Sequence, residues 1–274
     1  MLFLRNYAME RFLERLSASK YRNCFILKGG MLISAMVGID SRATMDIDTT
    51  LRNYPLNCES AEQIVRQIAD VEIDDKISFV IKKTEEIMED SEYQGVRLSL
   101  DAYLDKTRIP LKIDISTGDV ITPCEISFSY QLMFENRTIP LLAYPPETVL
   151  AEKLETILSR GEANTRLRDF YDVYILQRED FVVTPDALCH ALLATCRKRG
   201  HEDLLHTYAS ILNEVRQSGA MRAQWMKYQS DFDYAAGITW DTVLDTVETL
   251  CMKTLDDHAF GDELPQEESQ FEMH

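Results

Sequence analysis

Two aspartates separated by a single residue, Asp46-Ile47-Asp48, stand in a segment, Met45 to Leu51, whose pattern reads as a β-strand. Side chains alternate along a strand, so both carboxylates project from one face while Ile47 points to the other. Their Cα atoms are then roughly 6–7 Å apart, close enough to share one metal ion or to bridge two. Two ionised groups on the covered side of a sheet repel each other and lose hydration unless a cation or an arginine compensates them. This strand therefore does not belong in the middle of an ordinary apolar layer. It is either the wall of a cation site or an exposed loop pair.

Asp114 repeats the pattern in Leu111-Lys112-Ile113-Asp114-Ile115, an acidic residue among β-branched neighbours. If the two strands are adjacent, three carboxylates converge. Magnesium takes oxygen ligands in octahedral geometry and keeps substrate phosphates in its shell, so such a cluster suits it better than zinc or calcium. The alternative is that Asp114 simply faces solvent. Upstream, Cys24 to Leu27 is a short apolar run ending in Lys28-Gly29-Gly30, and Met31 to Val37 has helical character. Backbone N–H groups at that helix start are suited to phosphate oxygens, although a glycine pair after a strand also serves as a plain tight turn. The two common nucleotide fingerprints, Gly-x-x-x-x-Gly-Lys-Ser/Thr and Gly-x-Gly-x-x-Gly, are absent from the sequence.

The spacing of Ala8, Phe12, Leu13 and Leu16 predicts a covering helix over Asn6 to Ser19, and Ala61, Ile64, Val65 and Ile68 predict another over Ala61 to Asp70. Alternating stretches at Ser78 to Lys83 and Gly95 to Tyr103 join Leu111 to Ile115 as strands of a mixed sheet. After Pro145-Pro146 the pattern is helical almost throughout, which places a boundary near 140–147. The expected organisation is a core over 1–143, a helical domain over 144–255 and an acidic, disordered tail over 256–274.

A chain of 274 residues has ample material for a large core. No run reaches the ~18–20 apolar residues of a membrane span, and the charged start is no signal peptide, so the reading is a soluble, cytoplasmic protein without membrane contact. Six cysteines without a Cys-x-x-Cys pair argue against zinc and disulfides, with Cys24 read as a buried thiol. A net charge of −17 disfavours tight non-specific DNA binding and suits a basic protein partner. Arginines at 160, 166, 168 and 178, and the run Arg197-Lys198-Arg199, leave room for a local basic patch.

Lys153 lies on a helix opened by Pro146, and Gly161 ends it, with Asn164 or Thr165 able to cap the next. A helical hairpin then brings Lys153 towards Asp169. In Arg168-Asp169-Phe170-Tyr171-Asp172 the two aspartates, three apart, share a helix face. The competing reading is a salt-bridged surface helix.

In order along the chain, Lys28-Gly29-Gly30, Arg42-Ala43-Thr44-Met45-Asp46-Ile47-Asp48, Ile113-Asp114-Ile115, Lys153 and Arg168-Asp169-Phe170-Tyr171-Asp172 resemble the AbiEii/AbiGii toxins, nucleotidyltransferase-like toxins of bacterial toxin–antitoxin and phage-defence pairs. The resemblance spans about residues 20–180 and implies an α+β fold, with a DNA polymerase β-like nucleotidyltransferase core followed by a helical domain. It implies that Gly29 and Gly30 face a nucleoside triphosphate and that Asp46, Asp48 and Asp114 hold magnesium. Lys153 would contact phosphates and Asp169 would act with it, while Arg42, Thr44 and Asp172 would support the nucleotide. The implied acceptor is a tRNA hydroxyl, and the implied partner a basic, DNA-binding antitoxin of the AbiEi type. One departure is Gly30, where many nucleotidyltransferases carry serine. Transfer to a small molecule or a protein, and a non-catalytic binding role, are the rival functions.

Overall fold

The structure is a computed structural model that describes residues 2–89, 93–178 and 183–256. The tail expected at 256–274 lies almost wholly outside the described residues.

The first half builds one seven-stranded mixed sheet. Helix α1 (Leu2–Ala18) precedes β1 (Phe25–Lys28), α2 (Gly29–Val37), β2 (Asp46–Leu51) and α3 (Cys58–Ala69). A long hairpin of β3 (Ile77–Glu89) and β4 (Tyr93–Leu104) leads into β5 (Thr107–Ser116), then β6 (Ile126–Gln131) and β7 (Thr138–Ala143). The spatial order is β3-β4-β5-β2-β1-β7-β6, with β2 parallel to β5 and antiparallel to β1. Helix α1 packs on β5, β7 and α3, and α3 packs on β3 and β4. Ile47, fully buried, faces away from the two aspartates, as the alternation requires.

Two strands, β6 and β7, were not foreseen, although Ile126-Ser127-Phe128-Ser129-Tyr130-Gln131 alternates as a strand does. Each has six residues, and β7 contains Pro140, a residue usually kept out of internal strands because it donates no N–H. Here β1 pairs with β7 only at Leu142 and Ala143, so the side of Pro140 away from β6 makes no ladder bond to β1. The cysteine reading also shifts: all six are free, but Cys24 sits half-buried in the turn before β1 rather than inside the strand.

The second half is helical: α4 (Pro146–Arg160), a turn of 3₁₀ helix at Gly161–Ala163, α5 (Leu167–Leu176), α6 (Pro185–Arg199), α7 (Leu204–Gln217), α8 (Gly219–Asp231), a 3₁₀ turn at Asp233–Ala235, and α9 (Trp240–Leu255). Pro146 opens α4 where its missing N–H is harmless, and Gly161 closes it at φ 49°. Buried apolar side chains from Ala8 to Leu255 form one continuous cluster joining the sheet to the helices. Helix α5 lies inside it: Phe170, Tyr171 and Val173 are buried, and so are Asp169 and Asp172. A salt-bridged surface helix is thereby excluded, because neither carboxylate reaches water.

Candidate active site

The parallel register of β2 on β5 sets Asp48 beside Asp114 and Asp46 beside Lys112. The neighbouring strands foreseen from the sequence are thus present. What the sequence did not reveal is Arg97, which the antiparallel β4–β5 register places opposite Asp114. Its Nε and Nη2 donate to the two oxygens of Asp114 at 2.7 and 2.5 Å. A forked guanidinium matches a carboxylate in this way, so Asp114 is compensated by an arginine. Among the described residues, no group of three or more His, Cys, Asp or Glu is disposed to hold a metal ion. The expected three-carboxylate cluster is in this structure a pair, Asp46 and Asp48, beside an Asp114–Arg97 ion pair.

The glycines open α2 rather than forming a turn ahead of it. Gly29 has φ +63°, and a Cβ there would stand 2.2 Å from Asp48 Oδ2. A Cβ on Gly30 would stand 2.5 Å from Thr44 Oγ1, and the Gly30 N–H points to Asp48 Oδ2 at 3.4 Å. The pair is therefore needed to let the Asp48 and Thr44 side chains close against the backbone. This also accounts for Gly30 at the place where many nucleotidyltransferases carry serine: the space of a side chain is already taken by Thr44.

Behind the carboxylates lies a polar hub. Lys28 Nζ approaches Asp119 Oδ2 at 3.0 Å, and the same oxygen accepts hydrogen bonds from Ser116 Oγ (2.6 Å), Tyr144 OH (2.9 Å) and Thr50 Oγ1. Burial alone would raise the Asp119 carboxyl, but Lys28 and these hydroxyls hold it below the usual carboxylate range. Neither Lys28 nor Asp119 was singled out from the sequence as a site residue.

Facing the sheet, the α4–α5 hairpin brings Lys153 Nζ to 2.6 Å from Asp169 Oδ1 and 3.1 Å from Asp172 Oδ2. Arg42, from the loop before β2, donates through Nε to Asp172 Oδ1 at 2.6 Å. Burial would neutralise Lys153, yet Asp169 and Asp172 hold it above the ordinary lysine value. Burial would likewise raise Asp172, and Arg42 with Lys153 reverses this and keeps it ionised. Lys153 and Asp172 thus stay charged out of water because each has partners of opposite sign.

These groups surround one cavity of about 400 Å³. Gly29, Gly30, Arg42, Thr44, Asp46, Asp48, Asp114, Lys153 and Asp169 all line it, while Asp172 stands behind the wall and orients Arg42 and Lys153. Of the basic residues noted in the sequence, Arg166, Arg168 and Arg199 reach this cavity, whereas those at 160, 178, 197 and 198 do not line it. Arg199 is steadied by Glu155, which is buried and also accepts a hydrogen bond from His201 Nδ1 at 2.7 Å. A chain of net charge −17 thus lines this cleft with cations, Lys28, Arg42, Arg97, Lys153, Arg166, Arg168 and Arg199, beside the carboxylates of Asp46, Asp48, Asp114, Asp119, Glu152 and Asp169. A mixed lining of this kind suits a ligand carrying several phosphates and its counter-cation.

The sheet with its helical companion is the α+β fold of nucleotidyltransferases. A candidate nucleotidyltransferase from H. pylori superimposes with a TM-score of 0.51 at 14% identity, over 94% of this chain and 97% of that one. JHP933 from Helicobacter pylori gives a TM-score of 0.50 at 14% identity, over 93% and 94% of the two chains. The sequence pattern of the nucleotidyl transferase AbiEii toxins, a type IV toxin–antitoxin family, matches residues 11–246, and the chain belongs to this family. It is accordingly a nucleotidyltransferase of the toxin class. No curated protein sequence matches it significantly. Among the described residues, no helix is long and apolar enough to cross a membrane.

Proposed function

We propose that the chain transfers a nucleotidyl group from a nucleoside triphosphate to the hydroxyl of an acceptor, foremost a tRNA end, and that this cavity is where it does so. The observation that carries the reading is that Asp46 and Asp48 line one cavity together with Lys153, Arg166 and Arg168. The donor set fits magnesium: two carboxylates on one strand face leave the remaining coordination positions to phosphate oxygens and water. When bound there, magnesium offsets the charge of the triphosphate and of the departing pyrophosphate.

The residues of the chain supply the rest. Asp46 and Asp48 would hold the cation, whose charge would help to position the triphosphate. Lys153, fixed by Asp169 and Asp172, presents positive charge where negative charge builds on the transferred group. The acceptor oxygen forms a bond to the α-phosphorus, the bond to the β-phosphate bridging oxygen breaks, and pyrophosphate leaves. The hydroxyl proton passes to the aspartate set or to water. Arg97, by holding both Asp114 oxygens, restricts how far Asp114 can join that set. Domain division at about residue 144 fits this scheme, the sheet half carrying Asp46 and Asp48 and the helical half Lys153, Arg166, Arg168 and Arg199. A basic antitoxin, which the family's type IV assignment supports, would meet an acidic surface in the cytoplasm, in a phage-defence setting.

The test is incubation of the purified protein with magnesium, each α-labelled nucleoside triphosphate and total bacterial RNA, beside the Asp46→Ala, Asp48→Ala protein. Label in tRNA with the intact protein alone is the expected result. Label in a small molecule or a protein would move the acceptor, and no label anywhere would overturn the reading.

A further inference from the structure

A second cavity, about 580 Å³, opens from the first and shares part of its wall, Arg42, Thr44, Asp46, Arg166 and Arg168. Its character is different. Where the first is walled by charge, this one is walled largely by Met45, Leu167, Tyr228, Phe232 and Tyr234. Phe232 and Met45 are 39% and 56% exposed, an unfavourable state for large apolar side chains unless something covers them.

The aromatic surface is rigid before anything binds. Phe232 stacks on Tyr234 with ring centroids 5.3 Å apart and planes at 27°, and it packs at 4.7 Å against Tyr228. The Tyr228 and Tyr234 hydroxyls are 3.0 Å apart in a hydrogen bond. Behind them Trp225, buried, stacks on Tyr228 at 5.4 Å, and Tyr171 of the central helix lies 4.9 Å from Tyr234. A platform anchored to the core in this way loses little conformational freedom when a flat ligand lands on it. The volume lies in the range of small-molecule sites, and Gln224, Lys227 and Asp231 supply edge donors and acceptors at its rim.

We propose that this second cavity is a nucleobase subsite, with Phe232 and Met45 as the stacking surface and Gln224, Lys227 and Asp231 reading the edge of the base. The inference rests on the nucleotidyl-transfer reading of the first cavity, since the shared wall is what joins a base here to phosphates there. The base is that of the triphosphate or that of the acceptor nucleotide; both sources present the same flat, hydrogen-bonding face.

Calorimetric titration of the full chain with each nucleoside triphosphate, and with inorganic tripolyphosphate as a probe lacking a base, tests it. Stacking on one aromatic side chain gives an expected loss of about tenfold or more in triphosphate affinity for Phe232→Ala, with tripolyphosphate affinity unchanged and Phe232→Trp restoring the loss. If triphosphate affinity holds but KM for the acceptor RNA rises by that factor at constant kcat, the base belongs to the acceptor, and the subsite stands. If neither moves, the proposal is overturned. Should Phe232→Ala also lose tripolyphosphate, its packing has collapsed, and Met45→Ser, on an exposed side chain, decides by the same criteria. Undiminished transfer by an Asp46→Asn, Asp48→Asn protein would instead refute the chemistry assigned to the first cavity, while the base-dependent difference is read separately.

Discussion

Replacing Asp172 by asparagine removes one negative charge from the buried four-group network and leaves its shape. Asp172 is fully buried, receives Arg42 at 2.6 and 3.3 Å, and lies 3.1 Å from Lys153. After the change Asp169 still pairs with Lys153 and Arg166 but Arg42 has lost its carboxylate, and the new amide group presents N–H donors where only acceptors are useful. Removing one partner of a buried ion pair costs about 3–5 kcal/mol, because the charge left behind has lost its water as well. At ~2–4 °C per kcal/mol for a chain of this size, the midpoint of thermal unfolding falls by roughly 6–20 °C. Urea unfolding followed by tryptophan fluorescence is the assay, since Trp225 and Trp240 are both buried. The double change Arg42→Met, Asp172→Leu should cost clearly less than the sum of its singles, as Lys153 then keeps Asp169 and no orphaned charge remains. A loss below about 1 kcal/mol for Asp172→Asn, or strictly additive singles, would refute the reasoning.

The same network sets a pH dependence. The folded Asp172 carboxyl lies below its unfolded value, so its contribution is present above about pH 4 and is lost as pH falls through the folded value. Acid titration of stability should therefore be flatter for Asp172→Asn than for the intact protein. Gly29→Ala, at φ +63° with a Cβ 2.2 Å from Asp48 Oδ2, should lower stability by about 1–3 kcal/mol and displace the metal pair, read as weaker magnesium dependence of transfer. Asp46→Asn should reduce labelled transfer by at least about 100-fold, the loss of several kcal/mol of charge stabilisation, with an unfolding midpoint unchanged or raised. Arg97→Gln frees both Asp114 oxygens, and the magnesium concentration giving half-maximal transfer should fall; an unchanged value would separate Asp114 from the cation.

The placement of the two strand aspartates and of Lys153 beside Asp169 was legible in the chain because it rests on local rules. Period-two alternation in Asp46-Ile47-Asp48 puts both carboxylates on one face, and the two strands carrying Asp48 and Asp114 are neighbours in parallel register. Proline at the start and glycine at the end mark out α4, and the hairpin that follows carries Lys153 to Asp169. What no local rule contains is which distant side chain meets which. Arg97 reaches Asp114 through the register of β4 on β5, and Asp119 reaches Lys28 through a loop 91 residues away. Strand β6 was overlooked although Ile126-Ser127-Phe128-Ser129-Tyr130-Gln131 alternates apolar and polar residues, whereas β7 is obscured by Pro140 and by apolar residues on both of its faces. The aromatic wall of the second cavity depends on α8 and the turn after it folding back over the loop before β2. Alternation and helix ends are properties of neighbours in the chain, so the sequence alone determined the carboxylate pair and the hairpin, and the ordered motifs shared with the AbiEii toxins pointed to the class of chemistry. Compensation of charge depends on pairs far apart in sequence, so only the tertiary structure decided that Asp114 is held by an arginine and that Asp172 is a buried anchor.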